Sequence, residues 1–563
     1  MKHFRFFIAT TLFAFLLLAC SSGGQGDYDV IIRGGTVYDG LGNDPVATDV
    51  AISGDRIAAI GDLSAKSAVL DIDAQGLAVA PGFINMLSWA TETLIEDGRA
   101  MSDVMQGVTL EVMGEGSSMG PLNEDMKQRA LERQGDIHYD IEWTTLGEYL
   151  EYLECRGVSV NIASYVGAST LRIHEVGYDD RPATAEELGR MQQLVRQAMR
   201  EGALGVGSAL IYAPGNFADT RELIALVNAA AEYDGAYISH VRSEGSRLEE
   251  GVQELIKIAS ITGAPAEIYH LKASGRSNWH KLSNVFELIE SARAAGLSIT
   301  ADMYTYTAGS TGLDATMPLW VQEGGHEAWV ERLKDPQIRA RVAEQMRQPT
   351  RDWENFFVDA GPENILLIGF RKPKLRPLIG KTLQEVADER GTDPAMTAMD
   401  LVVEDDSRVD AVYFLMSEDN VRRKIAKPWI SFASDAGAPA AEGVFLQTSR
   451  HPRTYGNFAR LLGKYVREEK IISLTEAIRR LTSLPATNIG AFERGELREG
   501  YYADVVVFDP GQIRDNATFE EPQKYASGMW HVFVNGKQVL RNGRHTGSKP
   551  GRVVRGPGWD GWL

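Results

Sequence analysis

Residues 236–270 have the sequence AYISHVRSEGSRLEEGVQELIKIASITGAPAEIYH. A strand-like segment ends in His240, a stretch with helical apolar spacing follows, and a second strand-like segment ends in His270. A strand, a helix and a strand in this order predict two parallel strands joined by a helical crossover. The stretch therefore predicts an α/β fold in which both histidines lie at strand ends.

The same alternation continues on both sides of this stretch. Residues 184–200 and 220–232 have helical spacing around a strand-like segment at 205–210, and residues 281–295 precede another at 298–304. Repeated units of this length over roughly 400 residues favour a closed barrel over an open sheet. We therefore expect a TIM-like (β/α)8 barrel.

The barrel is predicted to occupy residues 83–489, with strand-rich segments on either side. Residues 28–82 and 490–555 are rich in β-branched residues and contain turn signals, which predicts one small β-sandwich domain built from both chain ends. Residues 313–420 fit the alternation poorly, so we expect an insertion or a lid there. A chain of 563 residues is long enough for more than one core.

The N-terminus has the features of an export signal. A basic start and a short apolar run precede Leu17-Leu-Ala-Cys20, which resembles a bacterial lipobox. We expect a lipoprotein signal peptide at 1–19, a lipidated Cys20, a flexible tether at 20–27 and anchoring to the outer membrane facing the periplasm. The alternative is an ordinary cleaved signal with a chance cysteine.

Composition excludes one class of partner. The net charge of −19 leaves no cationic surplus to neutralise phosphates, which opposes nucleic-acid binding. We expect contact with a membrane through the lipid anchor only. The oligomeric state stays open.

Three predicted strands end in side chains that suit metal-dependent hydrolysis. His240 and His270 end two successive strands, and Asp435 follows a later one. In a barrel, the carboxyl ends of the strands face the active site. Imidazoles suit zinc, and a carboxylate beside zinc can move a proton of the attacking water. A lone histidine is usually structural, but two histidines at successive strand ends and an aspartate at a later one favour a metal site.

A series of motifs resembles the N-acyl-D-amino-acid deacylases (D-aminoacylases) of the amidohydrolase superfamily. They run through nearly the whole chain and, in order, are RGGTVYDG at 33–40, APGFI at 80–84, EGALGVGSALIYAPG at 201–215, SHVRSEG at 239–245, YHLKASG at 269–275, ADMYTYTAGSTGL at 301–313, SDAG at 434–437, HPRTYGNF at 451–458, LTSLPA at 481–486 and RGELREGYYADVVVFDP at 494–510. Their number and order make the resemblance specific.

This resemblance implies roles for the residues that match the motifs. His240 and His270 match the two histidine ligands of the tightly held zinc. Asp435 matches the catalytic aspartate that takes a proton from water and gives it to the leaving amine. Tyr304 matches a group that polarises the scissile carbonyl.

The resemblance also implies substrate contacts. Arg453 matches the arginine that pairs with the substrate carboxylate, for which a planar guanidinium is suited. Lys272 and Ser310 match polar groups that contact the substrate.

The first predicted barrel strand departs from the family pattern. The family has a His-x-His pair there, whereas this chain has Leu87 and Trp89 at those positions. Neither residue offers zinc a ligand atom. We therefore expect a single zinc per chain, with Trp89 filling space in the second half of the site.

The second strand departs as well. Many D-aminoacylases have a metal-binding cysteine at the position of Gly116, and Glu115 lies one residue before it. A glutamate is an acceptable zinc ligand, so we expect Glu115 to complete the site. Glu111 is the alternative, and a third interpretation makes Glu115 an ordinary loop acid.

The resemblance and the candidate residues together predict zinc-dependent hydrolysis of N-acyl-D-amino acids, which yields a carboxylate and a free D-amino acid. The small-molecule substrate and the D-configuration are implied by the resemblance. Two alternatives stay open. One is an amidohydrolase acting on cyclic amides, imides or dipeptides, and the other is a binding protein without turnover.

Overall fold

The computed structural model describes residues 26–561. The predicted signal peptide at 1–19, the lipidation site at Cys20 and most of the predicted tether lie outside the described residues. Among residues 26–561, we find no helix that has both the length and the apolar character needed to span a bilayer.

The centre of the molecule is an eight-stranded parallel barrel. Its strands are Phe83–Asn85, Val108–Met113, Asn161–Ser164 continued by Val166–Gly167, Gly205–Ala209, Ala236–His240, Ala266–Ile268, Ile299–Ala301 and the segment 430–436. The last segment closes the barrel, because it bridges Ala301 at one edge and Ser88 at the other. The predicted TIM-like barrel is confirmed.

Helices surround the barrel and pack their apolar faces on it. In Ala185–Arg200, a capping box formed by Thr184 and Glu187 satisfies free backbone N–H groups at the start of the helix. Its apolar residues recur at helical spacing and are buried. The α-helices are Thr91–Glu96, Met101–Val104, Glu124–Glu132, Leu146–Arg156, Ala168–Glu175, Ala185–Arg200, Thr220–Ala231, Leu248–Thr262, Leu282–Ala294, His326–Arg332, Pro336–Met346, Phe356–Ala360, Leu383–Arg390, Pro394–Asp405, Glu418–Ile425, Arg453–Arg460, Leu474–Leu481 and Ser483–Ile489.

The segment that disturbs the barrel rhythm has its own sheet and core. The strand Asp410–Tyr413 lies between Gly309–Gly312 and Ile365–Gly369, and both pairings are antiparallel. Its helices bury an apolar cluster that also includes Tyr304 from the barrel. The segment therefore packs directly against the mouth of the barrel.

Both ends of the described chain form one nine-stranded sheet. Ala78–Pro81 from the first half pairs antiparallel with Val505–Phe508 from the second half. Its other strands are Tyr28–Val37, Val46–Ser53, Arg56–Gly61, Ala68–Asp73, Met529–Val534, Lys537–Arg541 and Arg544–His545. Apolar residues from both halves share one buried cluster. A β domain beside the barrel, as predicted, completes the fold.

Candidate metal centre and active site

The candidate metal centre lies at the mouth of the barrel. His240 ends its strand, while His270 and Glu115 lie just past the ends of theirs. The Oε1 atom of Glu115 is 3.1 Å from His240 Nδ1 and 2.8 Å from His270 Nε2. All three side chains are buried, and their donor atoms lie within 4.8 Å of one another. The structure thus brings together the three residues predicted as ligands.

The three donors fit a zinc ion. In a tetrahedral site with bonds of roughly 2.0–2.1 Å, neighbouring donor atoms lie roughly 3.3 Å apart. The separations around Glu115 Oε1 are close to that value. Two imidazole nitrogens and one carboxylate oxygen suit zinc, and three protein ligands leave a fourth position open for catalysis.

Local backbone geometry directs Glu115 into the barrel. Gly116 has a φ of +65°, and a Cβ atom there would lie 2.6 Å from the Cβ of Ala209. Only glycine therefore lets the loop pass this close to the neighbouring strand. Glu111, the alternative ligand, is buried and accepts a hydrogen bond from Asn85, and it lies outside the group of three converging donors.

Two site residues have left-handed backbone conformations. His270 has a φ of +34° and Asp435 a φ of +49°, which is costly for residues other than glycine. The backbone N–H of His270 donates to the carboxylate of Asp302 at 2.8 Å, and that of Asp435 donates to the carbonyl of Leu87 at 3.0 Å. These hydrogen bonds hold both side chains toward the cavity.

Glu244 supports both histidines from behind. Its Oε1 lies 3.1 Å from His270 Nδ1, and its Oε2 lies 3.4 Å from His240 Nε2, which is an ion-pair distance without an aligned hydrogen bond. A carboxylate on the far nitrogen fixes the orientation of a metal-binding imidazole. Burial opposes ionisation of Glu244, but the electrostatic interactions with His240 and Lys272 outweigh it and hold the pKa of Glu244 well below its usual range.

Lys272 belongs to the same buried group. Its Nζ donates to Glu244 Oε1 at 2.6 Å and lies 2.7 Å from His270 Nδ1. An ammonium has three donors, and the described residues occupy at most two of those of Lys272. Lys272 also lines the cavity, and its contact with substrate stays a prediction.

Asp435 lies between a cation and an indole. Its Oδ2 is 2.9 Å from Arg453 Nη1, and its Oδ1 accepts from Trp89 Nε1 at 3.2 Å. The Arg453 contact is a close ion pair rather than an aligned hydrogen bond. Arg453 is buried, and its Nε and Nη1 atoms have no hydrogen-bond partner within residues 26–561. The Nε–H group is therefore available to an anion, whereas Nη1 is already paired with Asp435.

Tyr304 presents an unpaired hydroxyl to the same space. Its ring lies under the guanidinium of Arg453, 4.5 Å from the centroid, and its hydroxyl has no hydrogen-bond partner in the described chain. Burial raises the pKa of Tyr304 to about 12, although Lys272 and Arg453 oppose the shift. The hydroxyl therefore keeps its proton at neutral pH and can donate it to an oxygen.

These residues share one cavity of about 570 Å³. Ser310 lies on its wall, in the first strand of the inserted sheet, and donates to the carbonyl of Ala411 at 3.1 Å. The insertion also contributes Trp329 and Arg408. A cavity of this size suits a small molecule with a few polar groups.

A sequence model of the amidohydrolase family matches residues 71–540. The match covers the barrel, the insertion and most of the strands from the C-terminal half of the β domain. The chain belongs to the amidohydrolase family. The membership agrees with a metal centre at the mouth of the barrel, and it confirms the superfamily predicted from the motifs.

Similar proteins match this amidohydrolase over nearly its whole length. A D-aminoacylase from Alcaligenes xylosoxydans xylosoxydans is 33% identical over 538 residues, which are 95% of this chain and 99% of that protein. The crystal structure of an N-acyl-D-glutamate deacylase from Bordetella Bronchiseptica, complexed with zinc and a phosphonate mimic of the tetrahedral intermediate, is 30% identical. Its TM-score is 0.77, and the match covers 94% of this chain and 99% of that one.

A solved D-aminoacylase structure adds information about metals. That D-aminoacylase has a binuclear metal center, in which one metal activates the enzyme and the second metal attenuates it. It is 33% identical with a TM-score of 0.78, and the match covers 94% of this chain and 100% of that one. The predicted resemblance to the D-aminoacylases is thereby confirmed.

Sequence reasoning missed two contacts of this amidohydrolase. Glu244 lies in the motif SHVRSEG, but nothing in its spacing separates it from other loop acids. Trp89 was expected only to fill space, whereas its indole Nε1 also donates to Glu115 Oε2 at 3.0 Å. The contacts of Glu244 with His270 and of Trp89 with Glu115 each join different strand ends of the barrel, which periodicity does not detect.

Proposed function

We propose that this amidohydrolase is a zinc-dependent deacylase that hydrolyses N-acyl-D-amino acids to a carboxylate and a free D-amino acid. One observation carries the proposal. The buried guanidinium of Arg453, whose Nε has no hydrogen-bond partner among the described residues, lies beside Asp435 in the cavity that contains Glu115, His240 and His270. A carboxylate-binding cation next to a metal centre and a proton-transfer group suits an N-acyl amino acid.

Glu115, His240 and His270 would hold one zinc ion. When bound, zinc supplies Lewis acidity, which polarises a carbonyl and brings the pKa of water toward about 7. The single ion follows from the three converging donors and from the lack of ligand atoms at Leu87 and Trp89. Zinc is favoured because an N-acyl-D-glutamate deacylase of similar structure is complexed with zinc.

The remaining residues position the substrate and transfer a proton from the attacking water to the departing amine. Arg453 binds the substrate carboxylate through a bidentate contact, which requires a guanidinium. The Tyr304 hydroxyl donates to the carbonyl oxygen as negative charge develops there. Asp435 takes the proton from the attacking water and returns it to the departing amine.

The preference for the D-configuration is supported by the similar D-aminoacylase. We propose that Lys272 and Ser310 contribute further polar contacts to the substrate.

The test is a screen of N-acetyl-D- and N-acetyl-L-amino acids with purified protein, with the zinc content measured on the same sample. We expect release of D-amino acids and about one zinc per chain. Asp435→Asn should abolish hydrolysis but retain binding of an N-acyl-D-amino acid by calorimetry. Absence of free amino acid from every substrate, in a sample that contains zinc, would refute the deacylase function.

We also propose that the protein is exported and anchored by lipid at Cys20 to the outer membrane, facing the periplasm. The support is the sequence Leu17-Leu-Ala-Cys20 and the Ser/Gly-rich composition of residues 21–26, which is typical of a tether. Replacing Cys20 with serine should move the protein from the membrane fraction to the soluble fraction. Retention in the membrane fraction would contradict the anchor.

A further inference from the structure

Trp89 contacts both carboxylates of the site through one N–H group. Its indole Nε1 lies 3.0 Å from Glu115 Oε2 and 3.2 Å from Asp435 Oδ1. The backbone N–H of Trp89 donates to the carbonyl of Ala436 at 2.9 Å, so the residue is held between the first and last strands of the barrel. The indole is therefore fixed by its own backbone as well as by the two carboxylates.

This arrangement accounts for every oxygen of the two acids. Glu115 directs Oε1 to the histidines and Oε2 to the indole, while Asp435 directs Oδ2 to Arg453 and Oδ1 to the indole. Neighbouring carboxylates repel each other unless a donor or a cation lies between them. The indole N–H supplies that donor without adding charge.

A second cation in the site would compete for the same two oxygens. An ion shared by Glu115 Oε2 and Asp435 Oδ1 would have to displace the indole N–H. Leu87, which lies two residues before Trp89 and also follows the first barrel strand, is buried and has no ligand atom. The similar D-aminoacylase, in contrast, is described by a binuclear center in which the second metal attenuates activity.

We propose that Trp89 is a positioning residue that takes the place of a second cation. Its indole N–H holds the carboxylates of Glu115 and Asp435 in place and limits the centre to one metal ion. The inference rests on the proposed function, since it gives Asp435 its role in proton transfer. It predicts an enzyme that excess zinc does not attenuate.

The test combines zinc stoichiometry with kinetics. The wild-type protein is first stripped of metal by a chelator and then dialysed against rising concentrations of free zinc. Metal analysis by mass spectrometry should then find one zinc ion per chain. Its turnover should stay unchanged when zinc exceeds the saturating concentration about 100-fold.

Two variants separate the two parts of the role. Trp89→Phe keeps the ring but loses the N–H, so we expect zinc affinity or kcat to fall about 10–100-fold, the usual effect of losing an orienting partner. Trp89→His places an imidazole beside Glu115 Oε2 and Asp435 Oδ1. We expect this variant to approach two zinc ions per chain and to lose activity at high zinc.

Trp320→Phe is the matched control. Trp320 also donates through its indole, to Gln345 Oε1 at 2.8 Å, but it lies in the insertion away from the metal centre. We expect unchanged zinc stoichiometry and kcat. Circular dichroism and thermal unfolding would establish that all variants are folded.

The results that would overturn the role of Trp89 differ from the result that would overturn the proposed deacylase function. Two zinc ions in the wild type, or a Trp89→Phe variant equal to wild type in both zinc affinity and kcat, would overturn the role of Trp89. Absence of hydrolysis would overturn the deacylase function, while the zinc stoichiometries of wild type and Trp89→His would still test the exclusion of a second ion.

Discussion

Substitution of Glu244 by glutamine should weaken zinc binding and also destabilise the ion-free protein. One carboxylate contacts three buried groups: Lys272 Nζ at 2.6 Å, His270 Nδ1 at 3.1 Å and His240 Nε2 at 3.4 Å. Glutamine keeps the shape of the side chain but removes its charge. The substitution therefore tests whether this charge orients the metal ligands.

The expected magnitudes follow from these contacts. Loss of the partner behind a metal-binding histidine lowers metal affinity about 10–100-fold, which equals about 1.4–2.7 kcal/mol. In addition, the Lys272 ammonium would remain buried without its carboxylate, and breaking such a pair costs about 3–5 kcal/mol. Because the amide oxygen of glutamine can still accept a hydrogen bond, we expect a loss near the lower end, about 3 kcal/mol.

Zinc affinity would be measured by competition with a chromophoric chelator, and the free energy of unfolding by denaturant titration of ion-free protein. Glu250→Gln is the control, since Glu250 pairs with Arg351 at 2.6 Å on the surface, where the two side chains are 46% and 66% exposed. Exposed pairs contribute at most about 1 kcal/mol. We expect this control to leave zinc affinity unchanged.

A Glu244→Gln variant that binds zinc within twofold of wild type would refute the orienting role. The double variant Glu244→Gln/Lys272→Met distinguishes the two effects. It removes the unpaired ammonium, so it should recover stability while zinc affinity stays low.

Three further predictions concern single residues. Tyr304→Phe should lower kcat by about 10²–10³-fold with little change in KM, because the unpaired hydroxyl is lost. Steady-state kinetics on the preferred substrate would measure this, and an unchanged kcat would exclude stabilisation of the oxyanion by Tyr304. Gly116→Ala should destabilise the protein by about 1–3 kcal/mol and reduce its zinc content, since the new Cβ meets Ala209 at a φ of +65°; native zinc content and unfolding would contradict this. Burial raises the pKa of Asp359 to about 6. Its stabilising contribution is therefore full below its usual pKa and lost as the pH rises through about 6. Asp359→Asn should flatten this decline, by at most about 3 kcal/mol, in unfolding titrations between about pH 4 and about pH 7, and an unaltered pH dependence would count against the shift.

Local patterns were sufficient to predict the barrel. Residues 236–270 form a strand, a helix and a second strand, and each strand leads to a histidine. Because all strands of such a barrel run in one direction, both histidines lie at the same end of the sheet. The segment at 313–420 could only be predicted as a break in the rhythm. Its three-stranded sheet pairs Gly309–Gly312 with Asp410–Tyr413 across about a hundred residues, and turn or periodicity signals do not specify such pairings.

The sequence by itself determined the fold class, the family resemblance, the candidate ligands Glu115, His240 and His270, and the absence of ligand atoms at Leu87 and Trp89, since these depend on residue type and local spacing. Only the tertiary structure brought Glu115, and not Glu111, beside both histidines, and only it joined Glu244 to both histidines and the Trp89 indole to two carboxylates. The physical reason is that barrel closure brings the first strand beside the last and directs side chains from distant loops into one cavity.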